Sequence, residues 1–479
     1  MADFSLMVHG TAPSAGKMVV TAPWDQSPIA TVSLAGEAAV ERALDTAWRL
    51  FRNRSGWLSK QRRIEILETA VHIMRDQAED LALEAAREGG KPLIDSRFEV
   101  MRAIDSLRLC VDCLRTEAGN GIPMGVNPAS AGRMAFTQRE PVGVVVAVSA
   151  FNHPLNLIAH QVGPAVAAGC PVIVKPAQDT PLSCFRLVRI LHEAGLPEGW
   201  CQALLTDTRE TATRLVTDSR VGLFSFIGSP GVGWSLRSRL APGTRCLLEH
   251  GGAAPVIVTE DADLDSALPK LLKGGFYHAG QVCVSVQRIF VQESLAGELC
   301  ERLADGARGL RIGDPTLEET EVGPLIRPAE VDRIHAWVRE AQTAGARVLA
   351  GGDVLSASSY ACTVLQDPPA DAKVSTREIF GPVICVYPYA RVESAIAQAN
   401  ALPWAFQAAV FTRDLDAAAM ISCQLDASAV MINDHTAFRV DWMPFAGLRQ
   451  SGLGVGGIPY TYHDMTIEKM LVLHSPELE

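Results

Sequence analysis

The sequence predicts a mixed α/β fold built around doubly wound parallel sheets. Three observations predict it. From about residue 142 onward, short β-branched runs alternate with helix-length amphipathic segments. The runs are continuously apolar, as strands covered on both faces must be. Glycines close the helices between them. The chain has 479 residues, about three domains' worth at roughly 150 residues each, so it can bury a large core without a disulfide or metal staple.

Residues 37–117 read as helical. EAAVERALDTAWRLF forms one helix and QRRIEILETAVHIMRDQAEDLALEAAREGG a second, closed by Gly89-Gly90 before Pro92. RFEVMRAIDSLRLCVDCLRTEA forms a third. Residues 119–132, rich in Gly, Pro, Asn and Ser, form a loop or hairpin leaving the domain body. GVVVAVSA is then a buried strand, LNLIAHQVGPAVAAG a helix ending at Gly169, PVIVKP a strand and PLSCFRLVRILHEAG a helix ending at Gly195. WCQALL, a short helix near 210–216, LFSFIG, the helix GVGWSLRSRL and the strands RCLLEHGG and PVIV continue the alternation. A second α/β stretch spans about 251–445, with strands RIFVQE, ARVLAGG, VICVYPY and AAVFTRD and helices LAGELCERLADGARG and AEVDRIHAWVREAQTAG. The tail TIEKMLVLHS is a late strand whose natural partner is the excursion at 116–139. There is no internal repeat and no low-complexity segment.

Composition excludes several functions. Lys plus Arg number 43 against 54 Asp plus Glu, a net charge of −11, so no global cationic field recruits nucleic acid or an anionic membrane. No apolar run reaches the roughly 18 residues of a spanning helix. Asp3 stands where a secretory leader carries Lys or Arg, so none is expected. The eleven cysteines form no framework, which fits a reduced, cytoplasmic chain. Cys110 and Cys113 are close but lie in a helical pattern without a second Cys/His pair nearby, so packing is expected and no metal centre.

Five signals carry candidate chemistry. Cys283 stands at a turn-to-strand junction in FYHAGQVCVSVQRIFV, with no His-Asp pair beside it to suggest a papain-like site. Glu249 ends an apolar strand in LLEHGG, at the edge where open α/β sheets bind ligands. Asn152 directly follows the longest buried strand, where its amide can donate to an oxyanion. Lys175 and the Gly228-Ser229 turn also follow buried strands. The turn opens a helix whose amides can face phosphates, although its spacing is G-x-x-G-x-G and not the dinucleotide fingerprint. Taken singly, each has an ordinary structural reading: a packed Cys, a solvated strand-end Glu, a helix-capping Asn.

Together they form an ordered set, and the chain resembles the aldehyde dehydrogenase superfamily over essentially its full length. FNHPLN, VIVKPA, FIGS, LEHGG and GQVC carry the resemblance, with REIFGPV, NDHTAF and PFAGLRQSGLG downstream. Glu249 precedes Cys283 by 34 positions, the family's usual spacing. The resemblance implies a Rossmann-like cofactor domain (1–115 and 140–248), a catalytic domain (249–447) and a bridging arm (116–139 and 448–479) that pairs sheets in a homodimer or homotetramer. It implies Cys283 as nucleophile, Asn152 as oxyanion donor and Glu249 as the base that hydrolyses a thioester, with NAD or NADP as cofactor. Lys175 and Gln178 would meet the adenosine ribose, Gly228, Ser229 and Gly251 would border the dinucleotide, Glu378 would hold the nicotinamide ribose and Phe380 would pack by its ring.

The departures are specific. Gln178 replaces a Glu that repels a 2′-phosphate, so NADP becomes acceptable beside NAD. His250, Ala253 and Ala254 replace Leu, Lys and Asn or Ser around the base and are expected to tune packing. SGLGVGG lacks the Glu that many members carry after that glycine run. Aligned with the family, Arg102, His153 and Arg439 line the substrate tunnel. Two Arg and a His favour an anionic tail: phosphonate, sulfonate, phosphate or carboxylate. The alternative is that the arginines form structural ion pairs with Glu99 or Asp441. FRVDWMPF is similar to phosphonoacetaldehyde dehydrogenases, but Val282 stands where phosphate-gripping members place Arg, so sulfonates and carboxylates rank level with phosphonates. A protonated His153 would strengthen anion preference toward about pH 6. Glu249 argues against a CoA-acylating member, and the intact Asn152, Glu249 and Cys283 argue against a silent one. Small neutral or hydroxyaldehydes remain the alternative substrates.

Overall fold

A computed structural model describes residues 1–10 and 12–478. Two parallel sheets carry the architecture. The first has six strands, in spatial order Gly452–Leu453, Arg245–Glu249, Val221–Ile227, Val144–Val148, Val172–Lys175 and Cys201–Ala203. The central strand, Val144–Val148, is the first of these in the chain. The chain then builds outward through Val172–Lys175 and Cys201–Ala203 and returns to the other side for Val221–Ile227 and Arg245–Glu249. That reversal is the switch point at which open sheets leave a crevice beyond their C-terminal strand ends. Val144, Val145 and Val146 are fully buried, as the unbroken apolar run requires.

The second sheet orders Arg347–Ala350, Thr363–Gln366, Val383–Tyr389, Val286–Gln292, Ala254–Val258, Gln407–Phe411 and Ala429–Ile432. Only the edge strand Arg347–Ala350 runs antiparallel to its neighbour. The chain crosses from sheet to sheet between Glu249 and Ala254, so Glu249 ends the first sheet and stands at the boundary. PVIV, read in line with the first alternation, belongs to the second sheet. A separate hydrophobic core lies against each sheet.

The helices begin and end largely where the punctuation placed them. Gly169 and Gly90 take left-handed conformations, φ 81° and 73°, and cap helices Asn156–Ala168 and Ala78–Gly89. The long second helix of the sequence reading is instead two, Lys60–Asp76 and Ala78–Gly89, broken at Gln77 with φ −104° and ψ 14°. Apolar periodicity continues across the break, which is why it was invisible. The third helix, Leu93–Thr116, starts directly after Pro92. Three N-terminal strands were not read at all: Ala2–Phe4, Ser14–Thr21 and Pro28–Ala35. The middle one is mostly exposed, so it lacks the apolar alternation that marks a half-buried strand.

The tail strand Thr466–His474 pairs antiparallel with Arg133–Pro141 along its whole length, from Thr466↔Pro141 to His474↔Arg133, with Gly121–Ile122 on the far edge. The partner is the expected excursion. The stretch before the tail behaves differently from the rest of the expected arm. Gly452–Leu453 pair with Arg245–Glu249, and Ile458, Tyr462 and Met465 join the first sheet's core, so residues 452–465 are built into the first sheet's layer.

Candidate active site

One cleft of 1090 Å³ opens where the two sheets meet. Its wall includes Asn152, Glu249, Cys283, Glu378, Phe380 and Arg439, brought together because each follows a strand end or enters from the loops between the sheets.

The approach to Cys283 is a strained turn. His278 (φ 49°), Ala279 (φ 55°) and Gly280 (φ 68°) are successively left-handed, a conformation costing L-residues roughly 1–2 kcal/mol each. At 280 only glycine fits, because a Cβ there would run into the Gly381 carbonyl. Gln281 holds the turn: its Nε2 donates to the His278 and Pro324 carbonyls, both at 3.3 Å, and its Oε1 accepts from Ile326 N–H at 3.0 Å. Burial pushes the Cys283 thiol up to about 12; Arg439 opposes this, and Glu378 and Glu249 add to it.

Asn152 is buried and donates one amide hydrogen to the Gln281 carbonyl at 2.9 Å. That bond orients the amide and leaves its second N–H for the cleft. Burial raises the Glu249 carboxyl, with Arg439 opposing. Gly456 makes room for it: a Cβ at 456 would come within 2.9 Å of Glu249 Cδ. The 456 backbone cannot retreat, since Gly456 and Phe445 exchange two hydrogen bonds, at 2.7 and 3.0 Å. The missing Glu of SGLGVGG thus has a local consequence.

On the cofactor side, Gly228 N–H donates to the Glu249 carbonyl at 3.1 Å, joining the turn to the strand that ends in the carboxylate. His250 hydrogen-bonds the Gly228 carbonyl through Nδ1 at 2.8 Å and packs between Phe226 and Trp234. Its expected packing role therefore includes holding the turn. Ser229 precedes helix Pro230–Arg237, and no described residue accepts from its backbone N–H. Glu378 is half-buried against Gly251, its buried Oε1 has no partner among the described residues, and burial pushes its carboxyl up to about 8. Phe380 (φ 50°) meets Phe151 edge-on at 5.7 Å. Lys175 and Gln178 are placed apart from this wall. Lys175 ends its strand with Nζ 3.4 Å from the Pro176 carbonyl, and Gln178 is exposed, with Ala177 between them facing the cleft. An orphaned buried carboxyl oxygen, a free turn amide and a lysine at a strand end fit a ribose-phosphate ligand.

Gln287 was missed. It sits on the strand that follows Cys283, donates to the Val374 and Arg377 carbonyls at 3.1 and 2.7 Å and accepts from Ile379 N–H at 2.9 Å. It ties the loop carrying Glu378 and Phe380 to the strand that follows Cys283. A lone amide in the apolar run VQRIFV was the available signal.

Both arginines line the cleft, in different states. Arg102 makes a two-pronged pair with Asp441, Nε to Oδ2 at 3.1 Å and Nη2 to Oδ1 at 2.6 Å. The ion-pair alternative therefore describes Arg102. Among the described residues Arg439 has no carboxylate partner. Its guanidinium lies 3.6 Å from the Phe445 ring centroid, Nη2 reaches His160 Nδ1 at 3.4 Å and Nε is buried without a partner. His153 corrects the pH expectation. It is buried, 3.3 Å from the Tyr277 hydroxyl, and burial together with Lys91 and Arg102 holds its pKa well below the ordinary value. That lowering disfavours its protonation and works against the expected gain in anion binding toward lower pH. Cys110 and Cys113 lie on one helix, the first buried and the second half-buried.

Two α/β sheets meeting at a cleft with a thiol, an amide and a carboxylate at strand ends define a dinucleotide-dependent oxidoreductase scaffold. The aldehyde dehydrogenase family model matches residues 11–471, and the chain belongs to that family, whose members are NAD(P)-dependent enzymes. It is 36% identical to a 3-sulfolactaldehyde dehydrogenase of Priestia aryabhattai, covering 98% of each chain. Aldehyde dehydrogenase 21 from Physcomitrella patens, solved with the reaction product succinate, superposes with a TM-score of 0.94 at 34% identity, covering 99% of this chain and 98% of that one. An NADP-complexed glyceraldehyde-3-phosphate dehydrogenase from Methanocaldococcus jannaschii superposes at 0.91 and 32% identity, covering 97% of this chain and 100% of that one. Among the described residues no helix is long and apolar enough to cross a membrane.

Proposed function

We propose that this enzyme oxidises a short anionic aldehyde to its carboxylic acid by hydrolysis of a Cys283 thioester. Arg439 carries the reading: a guanidinium in the cleft wall, with no carboxylate partner among the described residues, is a charge-assisted donor for an anion. The sulfolactaldehyde dehydrogenase relative and the succinate-bound structure support a negatively charged tail.

NAD or NADP supplies the hydride acceptor when bound. Glu378, the Gly228-Ser229 turn and Lys175 would hold it, with Gln178 placing no negative charge against a 2′-phosphate. Cys283 gives its proton to solvent water in the open cleft, and its sulfur adds to the aldehyde carbon. The carbonyl oxygen becomes an oxyanion held by the free Asn152 N–H and the Cys283 backbone N–H. Loss of hydride from that carbon restores the carbonyl as a thioester. Glu249 then takes a proton from water, the water oxygen adds and the carbon–sulfur bond breaks, releasing the acid and the thiolate. A carboxyl raised by burial suits this role, since it is a stronger base than a solvated one.

The test is kcat/KM for matched anionic and neutral aldehydes. Arg439→Ala is expected to raise KM for the anionic substrate by roughly 10- to 160-fold, the worth of one charge-assisted hydrogen bond, with little change for propanal. Arg102→Ala is expected to hurt both substrates, because it also strands the buried Asp441. A wild type that favours the neutral aldehyde, or an Arg439 variant that affects both equally, sinks the anion reading.

Assembly belongs to the same proposal. The arm sheet exposes Met470, Leu471, Val472 and Leu473 beside Met134 and Phe136, and a small sheet with such a surface is not stable alone. We infer a homodimer or homotetramer joined through it. Deleting 466–479 is expected to lower the mass measured by light scattering; unchanged mass refutes the arm's role.

A further inference from the structure

We propose that Asp441 and His160 set the charge of the substrate tail, so that the cleft selects monoanionic aldehydes, sulfonate or carboxylate, over phosphonate or phosphate dianions. The inference rests on the anion reading above and concerns how much negative charge that site neutralises.

Asp441 is the hub of a buried network. It accepts both bonds from Arg102, one from His160 Nε2 at 2.7 Å and one from Asn156 Nδ2 at 3.4 Å. Its side chain is 5% exposed and that of His160 4%. His160 links Asp441 to the second arginine, because its other ring nitrogen faces Arg439 Nη2 at 3.4 Å. A guanidinium only donates, so Nδ1 must offer a lone pair and the proton must sit on Nε2, toward Asp441. His160 is therefore the neutral tautomer, in keeping with a pKa lowered to about 4, chiefly by burial.

The charges then follow. Arg102 and Arg439 contribute two positive charges, Asp441 one negative and His160 none, leaving a single net positive charge. The neighbouring groups add no further cation, and Glu249, the other carboxylate facing Arg439, can only lessen that positive charge. Lys91 pairs with Glu99 behind the tunnel and Lys273 with Asp95 at its mouth. Val282, beside the nucleophile, adds no cation. The donors for which no described residue supplies an acceptor are Arg439 Nε and Nη1 and Arg102 Nη1. One charge on a tail is thus matched, while a second would enter a desolvated site with no counter-ion, an arrangement that costs heavily. Asp441 and His160 are positioning residues here: neither is placed to touch the reacting carbon, and both act through the arginines.

The experiment compares sulfoacetaldehyde, phosphonoacetaldehyde and propanal at about pH 8, where the phosphonate is largely dianionic. In wild type, kcat/KM is expected to favour the sulfonate over the phosphonate by about tenfold or more. Asp441→Asn keeps the shape and removes one negative charge, so the sulfonate-to-phosphonate ratio is expected to fall by about tenfold or more. A purely structural Asp441 would lower all three rates together and leave the ratio unchanged, which overturns the proposal. Should the variant fail to fold, inhibition of wild type decides: methanesulfonate is expected to bind more tightly than methylphosphonate, and the reverse order or equal affinity overturns the proposal. Preference for propanal over both anions would instead refute the anion site itself. An anion preference whose ratio Asp441→Asn leaves unmoved refutes only the charge-setting role.

Discussion

Cys283→Ala is expected to abolish aldehyde oxidation and any esterase activity while leaving dinucleotide affinity nearly unchanged. The cysteine stands at the end of a turn held by Gln281, with the amide of Asn152 and the carboxylate of Glu249 sharing its cleft. Without sulfur the aldehyde carbon has no covalent carrier from which hydride can depart. Turnover read by nicotinamide absorbance, beside dinucleotide binding by fluorescence, makes the check. Retention of more than about a tenth of wild-type turnover, a barrier change under about 1.4 kcal/mol, contradicts the assignment. The sign of the pH dependence follows from the same burial. A thiol pushed up to about 12 and a carboxyl raised above its ordinary value are both proton-bearing more often than in water. Both steps need the deprotonated forms, so turnover is expected to climb with pH from about 6 to 9. A flat profile over that range contradicts it.

Glu249→Gln and Asn152→Ala are expected to fail at different steps. With Gln at 249 the first hydride transfer proceeds and the thioester then persists, so stopped-flow absorbance shows a burst of about one reduced nicotinamide per site followed by a stall. With Ala at 152 the burst itself slows, by roughly 10²–10³, because one oxyanion donor is gone. The structure sharpens the second expectation. Asn152 is held by the Gln281 carbonyl, so its remaining N–H is preorganised and cannot readily be replaced by another group. Absence of the Glu249→Gln burst, or an unslowed Asn152→Ala burst, refutes the respective role.

The sequence by itself determined the α/β class, most of the helices, the central strands of both sheets and the pairing of tail with excursion. It also determined which residues stand at strand ends: Lys175 and Glu249 close theirs, and Asn152 and Gly228 lie just beyond theirs. These signals are local. A buried parallel strand is a short apolar run, a glycine stops a helix where left-handed backbone is needed, and the polar residue after a run lies at the sheet's edge whatever the rest of the chain does. The tertiary structure alone decided what each side chain meets. Arg102 meets Asp441 across 339 positions of chain, Arg439 meets His160 across 279, and Gln287 holds a loop some ninety residues away. Gly456 clears the space for Glu249 from a different segment again. Protonation followed the same divide. His153 and His160 look like candidates for charge near neutral pH, yet burial beside arginines keeps both neutral, while Asp441 stays ionised because a guanidinium and an imidazole N–H meet it from two helices. Charge in a protein interior is set by desolvation and by partners brought near through space, and neither quantity is written in the spacing of residues along the chain.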